Sequence, residues 1–238
     1  MSWVGKRPAR INATQLRLST YLDVSAIAAV IPDDFGDTLD LPRLVGVCDV
    51  WAGFVVETLL WAHESGIEVE FTSESVAADR AAAHPYGGDG GIDLQEAASY
   101  RRRIGLADSS GRRHRAGAYL AVTQGDPDQL AAAAFVFGSV GVGLRLPEYA
   151  VDEHGPWTVQ HGLPPIAGVT YVPVVGRRDG AFLAVFRGRT QEITPGFYRR
   201  YCDEAIVFLS EEFMTAPTPP PGFDRAQLLI DLNAFTRR

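Results

Sequence analysis

The sequence predicts an α+β domain built on an antiparallel sheet, and three observations lead there. Apolar residues at helical spacing fill much of the first half of the chain, whereas strand-like alternation dominates the second half. The clearest strand pair, residues 169–176 and 181–186, is joined by Arg177-Arg178-Asp179-Gly180, a hairpin-type turn that sets its strands antiparallel. The chain has 238 residues, 46% apolar and 21% charged, enough for one large core without disulfides or metal.

Residues 1–40 read as an irregular arm wrapping the body, with a basic start and a turn at Pro32-Asp33-Asp34. The main domain is expected over residues 41–214. Residues 47–64 read as a helix, because Val50, Phe54, Val55, Thr58, Leu59 and Ala62 recur at helical spacing. Trp51 and Trp61 widen its apolar face, Gly46 supplies a flexible entry and Gly66 suits the position just past its end. A second helix is expected over 74–83, stopping at His84 because Pro85 disfavours helical backbone before it. The glycines at 87, 88, 90 and 91 lack the spacing and the Lys-Ser/Thr of a phosphate loop, and read as a turn needing positive φ. Asp93 and Glu96 form a capping-box pattern opening a helix to Arg103, with Arg101, Arg102 and Arg103 expected on a solvated helix end. Residues 116–123 read as a strand. Asp126-Pro127 then opens a helix through Phe137, and residues 140–146 form a strand ended by Pro147. Thr194-Pro195 opens a short helix, and residues 203–209 form the last strand. Pro217, Pro219, Pro220 and Pro221 make a stiff linker of residues 215–223. The helix expected over 224–238 carries the apolar stripe Leu228, Leu229, Leu232 and Phe235. The stiff linker favours docking of this stripe on a partner or second subunit over a groove on the same domain.

Composition excludes several classes. No apolar run is long enough for a transmembrane helix, and no apolar segment follows the basic N-terminus as a secretion signal requires. A cytoplasmic or virion-associated location is therefore expected. The net charge of -7 argues against bulk attraction to nucleic acid. Cys48 and Cys202 lack metal-ligand spacing, and no two of the five histidines stand at i, i+4, so neither a metal nor a cofactor is expected.

The residue with chemical potential is Cys48, at the first turn of a long apolar helix. Helix N–H groups there can lower a thiol pKa and make a nucleophile. The competing reading is a small apolar side chain packed at a helix start. Gly46-Val47-Cys48 and its helix resemble the nucleophile segment of papain-like cysteine peptidases, above all a divergent actinobacterial and bacteriophage branch. Further matches follow in order: Gly91-Ile92-Asp93-Leu94 with Ala98-Ser99-Tyr100-Arg101, Phe137-Gly138 through Leu146-Pro147, and Val172-Pro173-Val174-Val175-Gly176. Gly188, Gln191, Thr194, Phe197-Tyr198 and Tyr201-Cys202-Asp203-Glu204-Ala205 close the set, which spans roughly residues 15–213.

The resemblance implies a papain-like fold with a degenerate triad. Where it places the base histidine stands Thr170, which cannot act as a base near neutral pH. The orienting Asn/Asp position falls near Ala184 or Val185, and the oxyanion donor position falls at Pro42, which has no donor. Arg187 replaces the tryptophan before Gly188. Three functions stay open. One is a catalytically degenerate structural or interaction module, such as a phage capsid or tail accessory, docking on a protein partner or its own copies through the arm and terminal helix. The second is an active cysteine peptidase or amidase using Cys48 with His161, or else His154, as a relocated base. The third is an anion-binding module using the arginines at 101–103 and 112–115.

Overall fold

A computed structural model of the chain describes residues 5–10, 15–36, 44, 47–84 and 91–236, and the side chains up to residue 234. Pro42, Gly46, the glycines at 87, 88 and 90, and the Phe235 side chain lie outside the described residues. A 3-10 turn at Leu18–Thr20 and the short helix α1 (Val24–Ile27) precede α2 (Asp49–Glu64), α3 (Ser73–Ala83) and α4 (Leu94–Arg103). A small pair, β1 (Leu106–Ala107) and β2 (Arg113–His114), leads to β3 (Ala116–Val122), α5 (Pro127–Phe137), β4 (Val140–Pro147) and β5 (Ile166–Arg178). Then come β6 (Ala181–Phe186), β7 (Arg189–Ile193), α6 (Pro195–Tyr201), β8 (Cys202–Ser210), α7 (Glu211–Thr215) and α8 (Arg225–Thr236).

The main sheet has six strands in the order β3-β8-β4-β5-β6-β7, every neighbouring pair antiparallel. One face carries α2, α3 and α4, whose Trp51, Phe54, Val76 and Leu94 pack with Tyr171, Ile206 and Phe208 of the sheet. The other carries the Leu18–Thr20 turn, α1, α5, α6 and α8, with Leu130, Val142, Val172, Phe182 and Trp157 at its centre. The α+β architecture read from the sequence is thus present.

Local signals account for most boundaries. Asp126 accepts the Asp128 and Gln129 N–H groups at 3.1 Å each, Pro127 starts α5, and Gly138 ends it at φ 78°. Asp93 likewise accepts the Gln95 and Glu96 N–H groups. The reciprocal half of that box is absent, because the Glu96 carboxylate takes the Arg10 guanidinium at 3.0 Å instead. Gly53 lets α2 lie on β5: a Cβ there would stand 2.5 Å from the Tyr171 ring.

β4 ends at Pro147 as expected, paired opposite Ile166 after a bulge. Three expectations need correction. β7 is an added edge strand that the polar run Arg189-Thr190-Gln191-Glu192 concealed. Arg101 is not solvated; it is buried beside Glu57, which it ion-pairs, and beneath the rings of Phe54, Trp61 and Phe208. The terminal stripe is not held away from the body. Leu228 and Leu232 are buried in the main core, while Leu229 is 42% exposed. The physical reason is Phe223. It reverses the chain after the prolines by inserting against Phe137 and Phe213, with ring centroids at 5.3 and 5.6 Å. Asp23 N–H to the Gly222 carbonyl at 2.9 Å, Asp224 N–H to the Tyr21 carbonyl at 2.7 Å and the Tyr21 hydroxyl to Asp231 at 2.7 Å fasten the return.

Candidate functional site

The site at the start of α2 is built from three elements. Cys48 is the N-cap residue of α2 and is buried, 7% exposed. Burial pushes its thiol pKa up. The Trp51 and Val50 N–H groups and the Arg80 charge oppose that push, and the neighbouring Asp49 charge reinforces it. Burial wins, so the protonated thiol is the form present at neutral pH.

Thr170 lies in β5 and is wholly buried. Its Oγ1 donates to Asp49 Oδ2 at 2.5 Å, the short length expected of a hydroxyl on a carboxylate. Burial raises the Asp49 carboxyl above the ordinary carboxylate range, against the pull of the Thr170 hydrogen bond and the Arg187 charge. Arg187 turns the corner from β6 to β7 at φ 52°, a left-handed conformation that side-chain-bearing residues rarely adopt. Its guanidinium lies 4.8 Å from the Phe186 ring centroid. Asp49 and Thr170 are therefore paired at the residue next to the cysteine, with the Arg187 charge acting on Asp49. Sequence reading missed Asp49; an acid directly after a candidate nucleophile was the available signal.

The remaining predicted positions fall elsewhere. Val185 is packed in an apolar cluster with Val56, Leu60, Val175 and Leu183. His161 is exposed in the turn before β5, and Arg200 of α6 donates to the next carbonyl, Gly162, at 2.6 Å. That tie holds the turn to α6, a helix of the sheet face opposite α2. His154 is exposed too, with Nδ1 2.8 Å from the Asp152 carbonyl. An unforeseen histidine, His84, packs edge-on against Trp51 at 6.3 Å, and burial lowers its pKa. Among the described residues no cluster of three or more His, Cys, Asp or Glu could hold a metal ion, and no helix is long and apolar enough to cross a membrane.

Solved structures share this arrangement of helix and sheet. Xylellain, a cysteine protease from Xylella fastidiosa, superposes with a TM-score of 0.70 at 14% identity, covering 88% of this chain and 96% of its own. The fold is papain-like. ProCathepsin B S9 from Trypanosoma congolense gives a TM-score of 0.62 at 15% identity, over 87% of each chain. The Carica candamarcensis cysteine protease CMS1MS2, solved with E-64, gives 0.56 at 12% identity, over 76% of this chain and 99% of its own. No family model matches the sequence, and neither does any curated protein. On this papain-like frame, the helix that starts after Cys48 packs directly on β5, the strand that carries Thr170.

Proposed function

We propose that this chain is a catalytically silent papain-like protein that acts by binding rather than by hydrolysis. The observation that carries the reading is the Thr170 hydroxyl given to Asp49 at 2.5 Å, at the position where the sequence resemblance expects the base imidazole. The buried, protonated state of the Cys48 thiol supports it, because a thiol without a base is a poor nucleophile. Val185 supports it as well, since the position that the resemblance assigns to the orienting Asn/Asp carries an apolar side chain packed among Val56, Leu60, Val175 and Leu183. The accessory role on a virion belongs to this reading through the sequence resemblance alone.

The experiment is turnover. Fluorogenic peptide and amide substrates are incubated with the wild-type chain and with Cys48→Ala across pH 5 to 9. The expected result is a background rate identical in both. A rate that disappears in Cys48→Ala would overturn the proposal and favour the relocated-base hydrolase, with His161→Ala as the next variant.

A further inference from the structure

The arginine runs in the middle of the chain are largely spent on the body itself. Arg101 pairs with Glu57, Arg113 with Asp79 and Arg115 with Glu211, while Arg102 and Arg103 donate to the Gly117 and Ser99 carbonyls. Arg17 of the N-terminal segment and Arg145 of β4 differ. Both are exposed, and among the described residues neither side chain has a hydrogen-bond or ion-pair partner. Both line one cavity of about 550 Å³. That volume lies within the roughly 300–1,000 Å³ of small-molecule sites.

Strand pairing fixes where the two arginines stand. The Ala121 N–H donates to the Leu16 carbonyl at 2.9 Å, and Arg17 bridges Ala121, so residues 16 and 17 lie against the outer edge of β3. Across the sheet the order is then Arg17, β3, β8 and β4 with Arg145. Three strand spacings of about 4.8 Å set the two backbones roughly 14 Å apart. Leu120 and Val122 of β3 and Leu144 and Leu146 of β4 point into the main core. Ala121 and Arg145 therefore project from the opposite face, and the short Ala121 side chain leaves the floor between the arginines open. Thr123 lines the same cavity. Its N–H goes to the Gln129 side chain and its carbonyl takes the Asp126 N–H at 3.2 Å. Its exposed hydroxyl has no partner among the described residues.

The other charges of the lining already have partners. Asp203 and Glu204 share the Lys6 ammonium at 2.7 and 2.5 Å, and Arg10 is taken by Asp93 and Glu96 at 2.5 and 3.0 Å. What the cavity offers a ligand is two guanidinium groups and a hydroxyl, which together are rich in donors. A guanidinium binds a carboxylate or phosphate through two parallel N–H···O bonds. The separation of Arg17 from Arg145 suits the two ends of one molecule better than a single ion.

We propose that this cavity binds a small molecule with an anionic group, carboxylate or phosphate, at each end, one held by Arg17 and the other by Arg145. Cys48, Asp49, Thr170 and Val185 are not among its lining residues, so the site goes beyond the question of hydrolysis.

The test is calorimetric titration of the full-length chain at fixed ionic strength. The two-ended probes are adipate and fructose 1,6-bisphosphate, each compared with its one-ended counterpart, hexanoate or fructose 6-phosphate. At least one two-ended probe is expected to bind ~tenfold or more tightly than its counterpart, and the one that does assigns the anion as carboxylate or phosphate. Arg17→Gln and Arg145→Gln are each expected to weaken that probe ~tenfold or more and to erase its advantage over the one-ended form. Both side chains are exposed and without partners, so the variants should keep the wild-type melting temperature. Arg112→Gln, which removes an exposed arginine elsewhere, and Cys48→Ala should leave binding unchanged. No binding of either two-ended probe, equal binding of one-ended and two-ended probes, or an equal loss in Arg112→Gln, the mark of bulk charge, overturns the proposal. Peptide turnover that disappears in Cys48→Ala would sink the silent reading and leave this cavity standing.

Discussion

Shortening Leu228 to alanine tests whether the C-terminal helix is part of the body. Leu228 is fully buried among core residues that include Leu18, Tyr21, Ile27 and Phe223. Core Leu→Ala substitutions cost about 2–5 kcal/mol, the spread reflecting how far the site collapses. α8 is the last element and can shift inward on one side only, so about 2–3 kcal/mol is the expected loss. For a chain of this size each kcal/mol lowers the melting temperature by about 2–4 °C, so a fall of about 4–12 °C is expected. Calorimetry at several protein concentrations reads both the loss and any dependence on association. Leu229→Ala is the control: at 42% exposure it should change stability by less than ~0.5 kcal/mol. An unchanged melting temperature in Leu228→Ala, together with weakened self-association, would refute the intramolecular packing and restore a docking role for the stripe.

Three further outcomes are expected. Arg101→Ala should lose about 3–5 kcal/mol in urea unfolding, because it leaves Glu57 buried without its cation, and Arg101→Met combined with Glu57→Gln should recover part of that. Thr170→His should leave peptide turnover at background, since Val185 supplies no side-chain acceptor at the orienting position and Pro42 no donor at the oxyanion position that the sequence resemblance assigns. Asp49 holds its proton to higher pH folded than unfolded. Its contribution to stability is therefore complete below the ordinary value of 3.8 and declines as pH rises through the folded value. Asp49→Asn should flatten that part of the melting-temperature profile, gaining on wild type as pH climbs above the ordinary carboxylate range.

What was legible in the sequence was local. Asp126, Pro127 and Gly138 bracket α5 because capping acts within four residues. The β5–β6 hairpin was readable because Asp179 and Gly180, both at positive φ, sit between two apolar strands. Illegible parts depended on partners far along the chain. Arg101 looked like one of three surface arginines, and only Glu57 and three aromatic rings from elsewhere make it a core residue. Proline count suggested an outward linker, while Phe223 alone decided its return. At the site, register placed Thr170 near the start of α2, but its bond to Asp49 joins residues 121 apart and no pattern announced it. Lys6 is the same case, a basic residue in an N-terminal run whose two carboxylates lie nearly 200 positions away, at 203 and 204.

The measurement that bears most directly on catalytic silence is the pH profile of Cys48 alkylation by iodoacetamide, in a Cys202→Ser background so that one thiol reports. The account predicts slow labelling with an apparent pKa above the free-thiol value of ~8.5, because burial dominates the thiol's surroundings. Fast labelling with an apparent pKa below ~7, the mark of a thiolate held by a nearby cation, would contradict it.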